Sequence, residues 1–331
     1  MDSFKALRIY ENSDGSFSKQ IESLTFDQLP DHEVLVKVHY AGLNYKDALS
    51  GSGHKGITRQ FPHTPGIDAV GEVVEHSGSE FMPGQQVLVT SYDFGMNTHG
   101  GFSAYIRVPA GWVVPMPEGL SPEHAMIMGT AGLTAGIALH NMERAGQRPE
   151  MGPVLVTGAS GGVGSLAIAI LHKAGYTPWA CTGSPQTSRY LESIGAAAIK
   201  DRRELEAATK KPLFKGGWAG AIDTVGGEIL VNAVKGCGMY GGVAVCGLVG
   251  SPRIDMSVYP FILKGVAMLG VDSAEFPMPE RRKVWEKLSQ VWKPDEQVLD
   301  AMAQYCTLED IPDQMDAMLA GKTQGRVIAT F

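Results

Sequence analysis

The sequence predicts an α/β protein built in two styles: a small β-barrel-like part followed by a doubly wound parallel sheet. Three observations carry this. The first third holds short, closely spaced strand patterns broken by Pro-Gly and Gly-Gly turns. From Ser121 onward helix and strand patterns alternate, the rhythm of a parallel sheet with helices on both faces. Glycine accounts for 41 of the 331 residues, a density that implies tight turns and close backbone approaches.

Taken in order, Glu33–Tyr40 (EVLVKVHY) alternates apolar and polar residues, the period of a half-buried strand. Strands are expected next at Ala69–Glu75, Gln86–Thr90 and Ser103–Val108, spaced as in a small barrel. Ser121-Pro122-Glu123 has the form of a helix N-cap with proline at the first helical position. An apolar strand at Val154–Thr157, a helix from Gly161 and a strand at Tyr176–Thr182 open the second part. Further strands are expected at Gly220–Thr224, Gly242–Gly247 and Met268–Val271, then helices at Arg281–Trp292 and Ile311–Leu319 and a closing strand at Arg326–Phe331. A chain of this length exceeds one small core.

Composition narrows the class of partner. A formal net charge of −7 argues against nucleic acid or an anionic membrane, so any anion site must be a local cluster. The cysteines Cys181, Cys237, Cys246 and Cys306 form no C-x-x-C pair, the usage of a reducing compartment. No apolar run reaches the roughly 20 residues of a membrane span, and the N-terminal stretch lacks a signal-peptide core. A cytoplasmic location and a small-molecule substrate are expected.

Val154–Gly164 reads VLVTGASGGVG, an apolar strand running into a glycine-rich turn that opens a helix. A pyrophosphate binds where backbone N–H groups and the positive end of a helix dipole converge, and side chains there would hold it off. Ser160, Gly161, Gly162 and Val163 are the expected contacts, with Ala159 at the first position of the usual G-x-G-x-x-G. An NAD site places Asp or Glu at the end of the second strand to bind the ribose hydroxyls. That strand here ends Ala180-Cys181-Thr182-Gly183-Ser184, with no acid. Thr182, Gly183 and Ser184 leave room for a 2′-phosphate, and Arg189, Lys200 and Arg202 lie close enough in sequence to neutralise it. The expected cofactor is NADPH.

Across nearly its whole length the chain resembles the medium-chain dehydrogenase/reductase superfamily. The resemblance rests on AGLNYKDAL (Ala41–Leu49), PGIDAVGEV (Pro65–Val73), PGQQVLV (Pro83–Val89), GTAGLTA (Gly129–Ala135), GASGGVG (Gly158–Gly164), AIDTVGG (Ala221–Gly227) and TQGRVIATF (Thr323–Phe331). LNYKDAL followed by R-x-F-P-x-x-P-G-I-D (Arg59–Asp68) is similar to the YhdH/YhfP-type quinone oxidoreductases, a subgroup containing acrylyl-CoA reductase. The resemblance implies a GroES-like barrel (1–125), a Rossmann domain (126–272), a return segment (273–331), an interdomain active site and a homodimer. At the positions where zinc-dependent members carry metal ligands, this chain has Leu43-Asn44-Tyr45 and Pro65-Gly66-Ile67-Asp68, so no metal is expected. His63, His99 and Asp68 have no spacing that would make them a ligand set.

Without a Lewis acid, a C=C bond conjugated to a carbonyl is an easier target than an unactivated ketone, because an enolate takes up the charge. By resemblance Tyr45, Lys46 and Asp47 carry the chemistry, with Tyr45 also against the cofactor. Thr130 resembles the superfamily threonine near the nicotinamide. Leu248, Ile262 and Ser273 follow later strand ends, where cofactor contacts gather. Asn44, Lys55 and Arg59 are expected at the substrate, the last two within a locally basic stretch, His54–Arg59, suited to CoA phosphates. Arg326 stands where the superfamily has a Lys often near the cofactor. The activity implied is NADPH-dependent reduction of an enoyl-CoA, most specifically acrylyl-CoA. Quinone reduction and non-catalytic NADPH binding remain as alternatives.

Overall fold

The computed structural model describes residues 3–207 and 211–331. Two compact units emerge, one of Met1–Thr130, Ser273–Arg282 and Leu299–Phe331, the other of Ala131–Asp272 and Lys283–Val298.

The first unit begins with an antiparallel hairpin, β1 (Phe4–Glu11) and β2 (Phe17–Leu24). This hairpin is absent from the strands expected above, because β2 (FSKQIESL) buries one residue fully and shows no clean alternation. β3 (Val34–Leu43) follows, then helix α1 (Tyr45–Gly51) and strands β4 (Asp68–His76), β5 (Gln86–Thr90), β6 (Tyr105–Val108) and β7 (Val113–Pro115). β3 is the hub: it pairs antiparallel with β4 and with β6, and its register shifts at Leu35/Val36 and Val38/Tyr40. Such irregularities bend a strand and increase its twist, which curls the sheet towards a barrel. Val36, Val38, Val73, Val87, Phe94, Phe102 and Ile106 form the core inside.

The chain then enters helix α2 (Pro122–Arg144). Ser121 Oγ accepts from the His124 N–H at 3.1 Å, the N-cap that the sequence announces. The helix is broken at Gly129, whose φ of 49° and ψ of −150° leave the helical region.

In the second unit the elements alternate: β8 (Val154–Thr157), α3 (Gly162–Lys173), β9 (Pro178–Thr182), α4 (Ser188–Ser193), β10 (Ala198–Asp201), α5 (Arg202–Glu206), β11 (Gly220–Asp223), α6 (Gly227–Gly236), β12 (Gly242–Val245), α7 (Tyr259–Lys264) and β13 (Ala267–Gly270). All pairings are parallel, in the order β10-β9-β8-β11-β12-β13. This is the dinucleotide-type order 3-2-1-4-5-6, reversing direction between β8 and β11. β8 is buried along its whole length, as a central strand covered on both faces must be.

Helix α8 (Met278–Ser289) starts earlier than the sequence suggests, because Pro279 sits in its first turn, where a missing N–H costs nothing. After α9 (Glu296–Met302), β14 (Ala303–Cys306) and α10 (Ile311–Leu319), strand β15 (Arg326–Thr330) pairs antiparallel with β3 and completes the first unit's sheet. The segment after Ser273 thus serves both units, since Lys283–Val298 packs with the second. Among the described residues no helix is long and apolar enough to cross a membrane.

Candidate active site

In the second unit, a cavity of about 270 Å³ lies at the carboxyl ends of β8 and β9, lined by Thr157, Gly158, Ser160, Cys181, Thr182, Gly183, Ser184, Arg202, Val225 and Ile229. Ser160, Thr182, Gly183, Ser184 and Arg202, which the sequence nominates, are therefore brought together. Gly161 is the N-cap of α3 and Gly162 and Val163 form its first turn, so the helix presents its positive end at this strand end. Gly164 lets the helix sit close: a Cβ there would lie 2.3 Å from the Gly158 carbonyl oxygen. The residues fit a dinucleotide pyrophosphate.

The cations sort themselves. The Lys200 ammonium lies 4.7 Å from the centre of the Trp179 ring, and Arg203 pairs with Asp201 at 2.5 Å. Arg189 is exposed and does not line the cavity. Arg202 is the cation that does line it. Missing from the sequence reading is Asp223. Its carboxylate accepts from Thr157 Oγ1 at 2.7 Å and from the Gly226 N–H at 2.7 Å, tying the ends of β8 and β11 together. The acid in AIDTVGG is the signal that could have found it.

Leu248 edges a separate apolar cavity of about 370 Å³ with Gly226, Gly247, Ser251 and Met268. Ile262 stands 68% exposed on α7. Neither is brought to the polar cavity of Thr182 and Arg202.

The first unit holds a second polar cluster. Asn44 precedes α1, and its N–H donates to Asp47 Oδ2 at 2.7 Å, one arm of a capping box. Asp47 Oδ1 accepts from the N–H groups of Gly66 (3.1 Å) and Ile67 (2.9 Å). Asp47 has no exposed surface. Burial pushes its carboxyl up to about 7; the backbone donors pull the other way and the charge of Asp68 adds to the rise. The Asn44 side chain is equally committed: it donates to Asp68 Oδ2 (2.8 Å) and the Gly42 carbonyl (3.1 Å), and accepts from Arg326 (3.1 Å). Asp47 and Asn44 are thus buried, and their side chains hold the start of α1.

Asp68 centres this cluster. It accepts from the Thr130 N–H at 2.9 Å, from Thr130 Oγ1 at 2.5 Å and from Arg326 Nη2 at 3.4 Å. Burial raises its pKa, and Arg326, Thr130 and Asn44 oppose the rise. The break at Gly129 lets the Thr130 N–H turn to this carboxylate. Thr130 Oγ1, having donated to Asp68, can accept from Ser91 Oγ at 2.9 Å. Arg326 is buried and also donates to the carbonyls of Ile127 (2.9 Å) and Leu43 (3.1 Å). Arg326 and Asp68 together are a buried ion pair in the core of the unit.

On this support Tyr45 is 44% exposed and Lys46 half-buried. The following loop is fastened to α1 by the buried pair Ser50 and Thr58, 2.7 Å between hydroxyls. Within it Lys55 is held at 2.6 Å by Glu11 and lies 4.9 Å from the Phe61 ring centre, whereas Arg59 is exposed and unpaired among the described residues. Ser273 is placed by Arg281, whose buried guanidinium donates to the carbonyls of Thr90 (3.0 Å), Ser273 (2.9 Å) and Ala274 (3.0 Å). Among the described residues no group of three or more His, Cys, Asp or Glu is arranged to hold a metal ion. The charge of Asp68 is met by Arg326.

A GroES-like unit joined to a nucleotide-type parallel sheet with a glycine-rich first turn defines a dinucleotide-dependent oxidoreductase. Residues 30–118 match the alcohol dehydrogenase GroES-like domain and residues 162–290 match the zinc-binding dehydrogenase domain. The chain is 42% identical over 327 residues to acrylyl-CoA reductase AcuI of Ruegeria pomeroyi, covering 98% of each. It is also 42% identical over 325 residues to YhfP of Bacillus subtilis, provisionally named a quinone oxidoreductase, again covering 98% of each. The solved structure of Bacillus subtilis YhfP with NAD bound superposes with a TM-score of 0.97 at 41% identity, covering 100% of both chains. That of the Salmonella enterica yhdH oxidoreductase in complex with NADP gives a TM-score of 0.95 at 43% identity, covering 99% of both. This chain belongs to the medium-chain dehydrogenase/reductase superfamily.

Proposed function

We propose that this protein reduces the C=C bond of a small α,β-unsaturated acyl-CoA, acrylyl-CoA foremost, with NADPH as the reductant. The observation that carries the reading is the end-to-end similarity to AcuI. Two features of the chain support it. Arg202 lines the cavity beside Thr182, Gly183 and Ser184, where no acid stands to repel a 2′-phosphate. Arg59 is an exposed cation, its side chain unpaired among the described residues, on a loop fastened to the helix of Tyr45 and suited to a CoA phosphate.

NADPH, when bound, supplies the hydride that adds to the β-carbon. Tyr45 directs its exposed hydroxyl to the thioester oxygen, where negative charge develops. Lys46 stands beside it as the proton-bearing group for the α-carbon. Asn44 and Asp47 fix the start of α1, so the direction of the Tyr45 hydroxyl is set before substrate arrives. Thr130 and Ser273 are assigned to the nicotinamide end, each held by a buried charged residue, Asp68 and Arg281. The exposed apolar side chains of Leu248, Val249, Ile262 and Met268 near the edge strand β13 support the expected homodimer.

The test is NADPH consumption with a panel of acyl-CoAs and quinones. The expected result is the highest kcat/KM with acrylyl-CoA and an affinity for NADPH about 10-fold or more above that for NADH, roughly 1.4 kcal/mol. Turnover confined to quinones would establish the second reading, which the similarity to YhfP favours.

A further inference from the structure

Gly183 closes the end of β9, and its backbone gives no reason for a glycine, because its φ lies outside the left-handed region. What a side chain would meet there is Arg202. A Cβ built on Gly183 lies 2.9 Å from Arg202 Cζ, 3.0 Å from Nε and 3.2 Å from Nη1, closer than ordinary van der Waals contact, so the guanidinium at the end of its flexible side chain would have to shift. The guanidinium therefore lies flat on the bare backbone of residue 183. Its Nε pairs with Glu206 Oε1 at 3.0 Å, one helical turn along α5. With Nε engaged, the two terminal nitrogens remain as a fork beside Thr182 and Ser184, the geometry that recognises a phosphate. The neighbouring cations are turned elsewhere, Lys200 onto Trp179 and Arg203 onto Asp201.

We infer that Gly183 determines cofactor specificity by acting as the seat on which Arg202 is held for the 2′-phosphate of NADPH. The role is beyond leaving room for the phosphate itself: the missing side chain serves the arginine first and the ligand through it. The inference rests on the NADPH reading above. It makes Gly183 a positioning residue whose effect vanishes when Arg202 is absent.

The experiment is a double-mutant cycle read by direct titration of NADPH and NADH into the full-length protein, using G183A, R202A and the double variant. Alanine is chosen because one methyl displaces the guanidinium while adding little bulk to the cavity. R202A is expected to raise the Kd for NADPH about 10-fold and leave that for NADH nearly unchanged, the scale of one charged contact to phosphate. G183A should raise the Kd for NADPH about fivefold in the wild-type background and have no further effect in R202A, the non-additivity of two groups in direct contact. NADH binding should hold constant throughout, which also reports that each variant is folded. Equal losses from G183A with and without Arg202 would show that the methyl obstructs the cofactor directly, and would overturn the seat. Wild-type NADPH affinity in G183A would overturn it as well. If R202A itself fails to discriminate NADPH from NADH, it is the underlying cofactor reading that fails.

Discussion

The cofactor cavity and the cluster around Asp68 are both polar sites set in apolar frames, yet they are assembled in opposite ways. The cavity draws on one strand–turn–helix and the next two strand ends, and its internal tie, Thr157 to Asp223, spans 66 residues within a single unit of alternating strand and helix. The cluster joins Asn44, Asp68, Thr130 and Arg326, with contacts spanning 62 residues between Asp68 and Thr130 and 282 between Asn44 and Arg326. In the first, the ligand-facing groups are mostly backbone and hydroxyls, which tolerate replacement one at a time. In the second, the buried Asp68 carboxylate meets the buried Arg326 guanidinium, and the Asn44 side chain bonds to both. A site that binds by backbone is locally encoded; a site that orients by buried charge needs the whole chain.

The sharpest way to break this contrast is to remove a charge from each. Arg326→Met leaves Asp68 buried without its cation and should destabilise the fold by about 3–5 kcal/mol, read from the denaturant midpoint. Asp223→Asn, which keeps an acceptor for Thr157, should cost only about 1–2 kcal/mol, and equal losses would erase the distinction. Next in size, Tyr45→Phe should lower kcat about 10²-fold with an unchanged melting temperature, because Tyr45 is 44% exposed and its hydroxyl has no hydrogen-bond partner among the described residues. A matching fall in thermal stability would place Tyr45 among the supports.

Arg59→Ala should raise KM for acrylyl-CoA about fivefold with kcat held, an effect that added salt imitates. Lys55→Ala should change KM little, because its ammonium is already taken by Glu11. The reverse ranking would move the phosphate contact to Lys55. The smallest effect concerns acid. Burial holds His63 and His99 down to about 4, with Arg8 adding to the depression in both. Between roughly pH 6.5 and 4 the unfolded chain then binds the extra protons, so stability falls as pH drops through that window. Asp47, raised to about 7, works against this, since below that pH its folded form holds the proton that the unfolded form releases. His99→Gln, which preserves an acceptor for Arg8 at 2.9 Å, should flatten the fall in midpoint between pH 6.5 and 4; identical slopes would remove His99 as its source.

The same contrast explains what could be seen from sequence. Val154–Thr157 and Gln86–Thr90 match the observed strands residue for residue, because each is an apolar run bounded by turn residues. That Thr182, Gly183, Ser184 and Arg202 would gather in one cavity was legible because strand order in a doubly wound sheet brings these strand ends together. The support that Asn44 and Asp47 give α1 was not legible, because the partners of Asn44 lie on β4 and β15 and those of Asp47 in the segment just before β4. Lys55 looked free for a similar reason: Glu11, which takes its ammonium, lies 44 residues away in sequence. The β1–β2 hairpin escaped for lack of period, not for lack of distance.

The position of Arg326 also orders events during synthesis. Asp68 leaves the ribosome 258 residues before the arginine that neutralises it in the fold. At translation speeds of 5–20 residues per second that interval is roughly 13–50 s. Throughout it the N-terminal strands can enclose Asp68 only without its cation, as a protonated or uncompensated carboxyl, which favours a late closing of the barrel while the parallel sheet, contiguous in the nascent chain apart from one later segment, takes shape. Slower elongation late in the message lengthens the exposure of the apolar faces of β3 and β4, and that interval is when a holding chaperone has most to protect.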